Sequence, residues 1–563
     1  MNKLITLFRE NRQRNTVFNI AFFIFYSLLL IFLDLFRNNI TTNFLIFWIL
    51  VLPIFIFPLY NIFSYRKGDK KTIIMTIIQV ILIIFILHMI RIILSDYQML
   101  FSDDGYAIID SAKYMLTNNY LVFDQKSPDY TKWFIVPIIY DEIALLLNIN
   151  LIKTAIFLPS LISSIGSIFV FLFGIVFFRK EKAVLLGYLL FSAFVFYNIT
   201  HSSAHPEFMA FIFIFISLFC IFKAKLEENP LIWNLLAITF IFLTCASNYT
   251  SAFFLMLLFI VMFISTTLPN FRRIKINRKK LINYGMVLFV IISFFSYAVY
   301  IGVSAFESTV LMGTELDTPS FRDAGTPTQT ITTPTIRDQI TGKGQPLLLL
   351  IFGLIILYGL YNYRNDGEKF VKMLFMGTWG FIGVLAYIIT VLLQMGGLYL
   401  GPRILVFFYP FILFAAAFVI VDFKLYKRKL VAIFLICFFI VNIATYDFIP
   451  GSMVNNGLIP EYYNGKPEIS SIQWYSNNGS YVIGGDALHM RSFNTYNGKY
   501  ATSYQYSPEN LDIIKNYDLL YQKSVSYNPK TELKIRSAIE KFDNMSWLSE
   551  VYSNGWWQIY FSR

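Results

Sequence analysis

Residues 73–94 read IIMTIIQVILIIFILHMIRIIL, and they run directly into SDYQMLFSDDGY over 95–106. Just before them stands the basic stretch RKGDKK, 66–71. A helix needs roughly 20 apolar residues to cross a hydrocarbon core about 30 Å thick, and this run is long enough. Lysines and arginines at one end give the span a direction, because they stay on the cytoplasmic side. The adjacent carboxylates of Asp103 and Asp104 then emerge on the outer side. One stretch thus predicts a membrane span, its orientation and a pair of acids above the bilayer.

The rest of the chain has the same character. Of 563 residues, 56% are hydrophobic, 18% aromatic and only 14% charged, and the mean hydropathy is +0.59. Soluble domains carry about 25% charged residues, which excludes a soluble globular enzyme. The apolar content equally excludes disorder. The 60 Phe and 36 Tyr suit a lipid-facing protein with aromatic belts.

Runs of spanning character fall near 17–36, 43–63, 73–94, 154–178, 183–200, 208–222, 231–249, 251–268, 281–303, 346–363, 373–394, 404–422 and 430–447. The expected fold is therefore an α-helical polytopic membrane protein of about 13 transmembrane helices. Basic clusters test that count. They occur at Lys3–Arg14, Arg66–Lys71, Arg179–Lys182, Lys223–Lys225, Arg272–Lys280, Arg364–Lys372 and Lys424–Lys429, always on the same side of the alternating spans. The positive-inside rule then places the N-terminus in the cytoplasm and the C-terminal tail outside. A multi-pass protein of a prokaryotic cell membrane is expected. The net charge of +12 becomes a topology signal, and no nucleic-acid partner is expected.

Some stretches need separate treatment. The basic N-terminus resembles a signal peptide but has no small-residue cleavage site, so it reads as a cytoplasmic tail and a retained first helix. WFIVPIIYDEIALLLNI, 133–149, is short for a span and has Asp141 and Glu142 in its middle. Each carboxylate would cost roughly 2.5–3.5 kcal/mol at the bilayer centre, and a span here would invert every later basic loop. It reads as an interfacial helix on the outer surface. Loop 304–345, rich in Thr, Pro and Gly, reads as a lid or a linker. Cys220, Cys245 and Cys437 all lie in apolar runs and read as small core residues rather than disulfide or zinc ligands.

Residues 448–563 change composition. SYVIGGD (480–486) reads as a strand and turn, PKTELKIRSAIEKF (529–542) as an amphipathic helix, and 547–562 as two strands about an Asn554-Gly555 turn. A small external α/β domain is expected, large enough to fold without disulfides.

No P-loop, GxGxxG, HExxH, CxxC or Ser-centred nucleophile motif occurs. The candidate chemistry lies in polar residues near the outer face. Asp103 and Asp104 suit general-base work or metal binding, since desolvation and mutual repulsion raise one of their pKa values. An Asp-Asp-Gly turn in solvent is the plain alternative. In His201-Ser-Ser-Ala-His205-Pro206-Glu207, Pro and Glu suit a helix start, and that alone accounts for Glu207. His205 and Glu207 facing one cavity with Asp103 is the functional reading. Arg403, in Gly401-Pro402-Arg403, either snorkels or grips a phosphate. His88 and Arg91 share a helix face, and snorkelling is the simpler account of them.

Together these motifs resemble the GT-C class of polyprenyl-phosphate-dependent glycosyltransferases, which includes protein O-mannosyltransferases, aminoarabinose transferases and oligosaccharyltransferases. The first large external loop would be Asp103-Asp104 with 105–153, the second motif His205-Pro206-Glu207, and the late Arg and Pro would be Arg403 and Pro410 in GPRILVFFYPF. On this resemblance 1–72 is an added N-terminal two-span extension, 73–447 a GT-C-like transmembrane catalytic domain with external loops 95–153 and 304–345, and 448–563 an external soluble α/β domain. The WWDYG signature of oligosaccharyltransferases is absent, with Trp474-Tyr475-Ser476 in the tail instead, which favours transfer of a single sugar.

The implied activity is transfer of a sugar from a dolichyl- or undecaprenyl-type phosphate to a protein, glycan or lipid acceptor, with inversion. The resemblance makes Asp103 or Asp104 the base and Arg403 the phosphate ligand. It makes His205, Glu207, Asp141, Glu142 and Arg91 substrate-binding residues, and leaves Asp103 and Glu207 as ligands should a divalent cation, Mg or Mn, be used. A transporter or flippase of lipid-linked sugars, or a non-catalytic membrane scaffold, is the alternative. Transporters usually carry repeated halves and midspan charges, and neither is evident here.

Overall fold

A computed structural model describes residues 2–35, 44–94, 103–118, 133–194, 197–198, 201, 206–267, 281–300, 336–392, 397–445, 483–484, 518–522, 548–553 and 557–562. Each apolar run expected to span holds a helix. The helices are α1 (Asn2–Leu35), α2 (Phe44–Ser64), α3 (Lys70–Leu94), α4 (Asp103–Asn118), α5 (Ile135–Leu147), α6 (Leu151–Gly166), α7 (Ile168–Phe178) and α8 (Glu181–Ser192). They continue as α9 (Glu207–Ala224), α10 (Leu231–Ser247), α11 (Tyr249–Thr267), α12 (Tyr284–Tyr300), α13 (Ile336–Tyr363), α14 (Gly367–Leu392), α15 (Gly397–Asp422) and α16 (Lys429–Thr445). Among the described residues, 9 stretches are long and apolar enough to cross a membrane, with α6 and α7 forming one. Three further apolar helices, α10, α12 and α16, are shorter.

Burial sorts the helices. In α15 and α9, 94% and 89% of the spanning window is buried, against 28% in α1 and α13. The first two are the axis of the bundle and the last two its rim. Apolar side chains such as Ile24, Ile31, Leu350 and Leu357 stand exposed on that rim, as a lipid-facing surface requires. Lipid tails are as apolar as leucine, so close packing rather than water exclusion holds such helices together. α14 shows how. Gly380 and Gly383 let it lie on α15, where a Cβ at Gly383 would meet Phe408 Cδ1 at 2.6 Å. Trp379 stacks on Phe408 with centroids 4.2 Å apart and donates its indole N–H to the Phe407 carbonyl at 3.1 Å.

Among the described residues, the basic clusters 179–182, 364–372 and 424–429 meet beside residues 63–65. Lys182 donates to the Phe63 carbonyl at 2.8 Å and lies over the Tyr426 ring, Tyr65 bonds Glu181, and Lys180 pairs with Asp422. Asp422 also accepts from the Tyr363 hydroxyl at 2.6 Å and lies 3.6 Å from Lys369. Trp133 lies against Tyr249 and Tyr297, at 6.3 and 5.4 Å.

Four details depart from the sequence expectations. The basic N-terminal tail is part of α1, because 2–35 contain good helix formers and neither Gly nor Pro. α13 begins at Ile336, so the last ten residues or so of loop 304–345 are helical and continue through Pro346. Cys437 is exposed on α16, unlike the buried Cys220 and Cys245. His88 does not snorkel: it is fully buried inside the bundle.

The C-terminal strands β1 (Ile483–Gly484), β2 (Asp518–Gln522), β3 (Leu548–Ser553) and β4 (Trp557–Ser562) form a sheet in the order β1-β2-β4-β3. β3 and β4 pair antiparallel on either side of 554–556, with a register shift between Glu550 and Tyr552. The helix expected over 529–542 lies outside the described residues.

Candidate active site

The acid pair does not sit in a turn: Asp103 and Asp104 are the first two residues of α4. Carboxylates are favoured there by the partial positive charge of the helix N-terminus. The side chains themselves lie outside the described residues. α4 packs on α5 and α6, and its inward residues Ile108, Ile109, Ser111 and Ala112 are fully buried. The acid-bearing end is thereby tied to the outer end of the bundle.

α5 has the two-sided character expected of an interfacial helix. Val136, Pro137, Tyr140, Asp141 and Ala144 are buried, while Leu145, Leu146 and Leu147 are exposed, a leucine edge suited to the membrane interface. Asn148 ends the helix in the left-handed conformation, φ 49°, and its N–H returns to Leu145 O at 3.2 Å. The two central acids point different ways. Glu142 is exposed, whereas Asp141 is 6% exposed and its Oδ1 has no hydrogen-bond partner among the described residues. Burial first, and the neighbouring Glu142 second, push the Asp141 carboxyl up to about 7.

α5 meets the start of α9 through Tyr140, whose ring stacks on Phe208 at 6.4 Å. Glu207, the first residue of α9, follows Pro206 and is 5% exposed. Pro and Glu therefore do serve as a helix start, and the carboxylate is also held inside the protein. Asp141 and Glu207 belong to neighbouring parts of one outer-end assembly. His205 lies outside the described residues.

Beneath them is a polar cluster that the sequence reading passed over. Tyr197 is buried between two histidines, 5.6 Å from His88 of α3 and stacked on His201 at 4.4 Å. Tyr197 donates to the Ser163 carbonyl at 3.0 Å, and the Ser163 hydroxyl donates to the His201 carbonyl at 3.2 Å. Ser167, at the break between α6 and α7, shares a hydrogen bond with Tyr188 at 2.7 Å. The available signal was the serine spacing 160, 163, 164, 167, which recurs at helical intervals within an apolar span.

Arg403 lies inside α15 rather than at its mouth, since the helix begins at Gly397. Arg91 lies near the outer end of α3. The side chains of both are outside the described residues. A small apolar void lies between α9, α11, α14 and α15, lined by Phe211, Phe254, Leu255, Trp379 and Phe407 among others. Its register is informative. Phe211 is one helical turn inward of Glu207, and Phe407 one turn inward of position 403. The apolar space therefore lies directly below the level of the outer polar positions. No group of three His, Cys, Asp or Glu side chains that could hold a metal ion occurs among the described residues.

No family model and no curated protein matches the chain. Solved structures do. The oligosaccharyltransferase AglB of Archaeoglobus fulgidus, in complex with an inhibitory peptide and a dolichol-phosphate, aligns at TM-score 0.50 and 11% identity over 79% of this chain and 69% of that one. ArnT of Cupriavidus metallidurans bound to undecaprenyl phosphate aligns at TM-score 0.50 and 9% identity over 88% of this chain and 98% of its own. The Archaeoglobus enzyme tethered to an acceptor peptide with the NVT sequon aligns at TM-score 0.51, 11% identity and 88% and 74% coverage. These likenesses show the fold: a helical membrane architecture shared with GT-C glycosyltransferases that use lipid phosphates.

Proposed function

We propose that this GT-C-fold protein is a membrane glycosyltransferase that moves a single sugar from a polyprenyl phosphate to an acceptor hydroxyl at the outer face. The observation that carries the proposal is the vertical order of the site. The acid-bearing helix start of α4 and the buried acids Asp141 and Glu207 are read as the outer end, and an apolar, aromatic lining begins one turn from Glu207 and position 403. A lipid-linked sugar has the same order, with a polar sugar, an anionic phosphate and an apolar tail.

In this reading Asp103 or Asp104 removes the acceptor's hydroxyl proton. The acceptor oxygen bonds to the anomeric carbon as the carbon–oxygen bond to phosphate breaks, so the configuration inverts and polyprenyl phosphate leaves. Arg403 neutralises the charge growing on the departing phosphate, to which a guanidinium is geometrically matched. Glu207 and His205 orient the sugar or acceptor, with Glu142 and Arg91 at the margin of the site. Asp103 and Glu207 would hold a Mg or Mn ion should the reaction use one, and no step depends on it. The thirteen-span topology, with the sheet-bearing domain 448–563 outside, completes the picture.

The test is transfer by purified protein in vesicles supplied with undecaprenyl-phosphate sugars. The doubly substituted Asp103→Asn, Asp104→Asn protein is expected to bind donor but lose at least 100-fold in turnover, the scale of a lost general base. Full activity in that variant would sink the assignment of the base. Movement of donor across the bilayer without transfer would favour the flippase reading.

A further inference from the structure

Asp141 is a solitary acid in an apolar stripe. It shares one side of α5 with Pro137 and Ala144, one turn to either side, and all three are buried. Its Oδ1 is buried without a hydrogen-bond partner among the described residues. Among the described residues Asp141 has neither an ion pair nor a side-chain hydrogen bond, so nothing there compensates its loss of water. An unsatisfied buried carboxyl next in sequence to Tyr140, whose ring stacks on Phe208 in the first turn of α9, is a group that a polar ligand completes.

We infer that Asp141 is a substrate-positioning group that holds a hydroxyl of the transferred sugar as a hydrogen-bond donor, in its protonated form. This rests on the proposed glycosyltransferase reading and adds a residue outside the acid–phosphate pair of that mechanism. The surroundings support a proton on this carboxyl. The elements packed on α5 bring Asp103, Asp104, Asp110 and Lys113 on α4, Lys153 on α6 and Cys245 on α10, and α9, reached through the Tyr140–Phe208 ring contact, brings Glu207; Glu142, Tyr106, Tyr114 and Tyr140 complete the titratable set. Acids outnumber bases there, and burial together with Glu142 raises the Asp141 carboxyl to about 7. A neutral carboxyl donates one hydrogen bond and accepts others, whereas a carboxylate only accepts. Sugar hydroxyls do both, so loss of the proton removes the donor half of the contact.

The experiment is the pH dependence of KM for undecaprenyl-phosphate glucose, mannose and arabinose, with kcat followed separately, in the full-length protein. With a carboxyl titrating at about 7, the protonated fraction falls from about 0.9 at pH 6 to about 0.1 at pH 8, so KM of the preferred donor is expected to rise about tenfold. Asp141→Asn, whose amide donates at every pH, is expected to flatten that rise. Asp141→Ala is expected to hold KM high and pH-independent. A rise that persists in Asp141→Asn overturns the inference, as does a pH-independent KM in the unaltered protein. Infrared difference spectra of unaltered protein against Asp141→Asn give a readout separate from turnover. The protonated carboxyl band is expected to fade near pH 7 and to shift when the undecaprenyl-phosphate sugar is added but not when undecaprenyl phosphate alone is added. A band that never shifts overturns the role of Asp141; a shifting band in a protein that transfers nothing overturns the glycosyltransferase reading and leaves sugar binding standing.

Discussion

Replacing Asp141 by Asn changes the stability of the protein in a pH-dependent way, and the size follows from its burial. The carboxyl titrates at about 7 in the folded chain against an ordinary value of 3.8. The folded state therefore holds its proton more tightly than the unfolded state. Stability is intact below pH 3.8, falls as pH rises towards 7, and levels off above that. At about 1.4 kcal/mol per pH unit, the full penalty is roughly 4 kcal/mol at pH 8 and above, and about 2.5 kcal/mol of it accrues between pH 5 and pH 8. The side chain is 6% exposed, so little solvent screening reduces these figures. Asparagine keeps the shape, does not ionise, and costs about 1–3 kcal/mol at every pH for its own buried amide. The difference between the two proteins is thus expected to move in favour of Asp141→Asn by about 2.5 kcal/mol from pH 5 to pH 8. Tryptophan fluorescence during unfolding in mixed micelles measures it. A difference that is the same at both pH values would refute the burial of this carboxyl.

Three further outcomes are expected. Gly383→Ala places a methyl against Phe408, whose Cδ1 would be 2.6 Å away, and forces the α14–α15 contact apart. The cost is about 1–3 kcal/mol, and an unchanged unfolding midpoint would contradict that packing. Asp422→Ala strips the acceptor from Tyr363 and the counter-charge from Lys180 and Lys369, at a cost of about 1–3 kcal/mol in the same unfolding assay. Chelation distinguishes two roles for Glu207: turnover that survives EDTA assigns it to orienting substrate, and turnover restored only by Mg or Mn assigns it to a metal site with Asp103.

Much of the architecture was legible because membrane solvation makes strong demands on sequence. The run 73–94 already implies α3, and the later apolar runs likewise hold helices. α5 was legible for the same reason: Asp141 and Glu142 are too costly for midspan, and the helix duly lies with an apolar leucine edge exposed. What hydropathy does not encode is which side of a helix faces the bundle. Asp141 and Glu142 are neighbours in sequence, yet one is buried and the other exposed. His88 falls at the outer end of a span, where snorkelling and burial give the same sequence. Only the packing of Tyr197, which follows α8 in the chain, decides for burial. The α4 start misled in another way, since Asp-Asp-Gly suits a turn and a helix N-terminus equally well.

The central claim is that the outer-end acids perform sugar transfer from a lipid phosphate. It is tested most directly by mass spectrometry of purified protein incubated in vesicles with undecaprenyl-phosphate sugars and a mixture of glycan, lipid and peptide acceptors. The account predicts an acceptor heavier by one sugar, free undecaprenyl phosphate in equal amount, and loss of both products when Asp103 and Asp104 become Asn. An unmodified acceptor pool with intact donor, or equal product from the Asn variant, would contradict it.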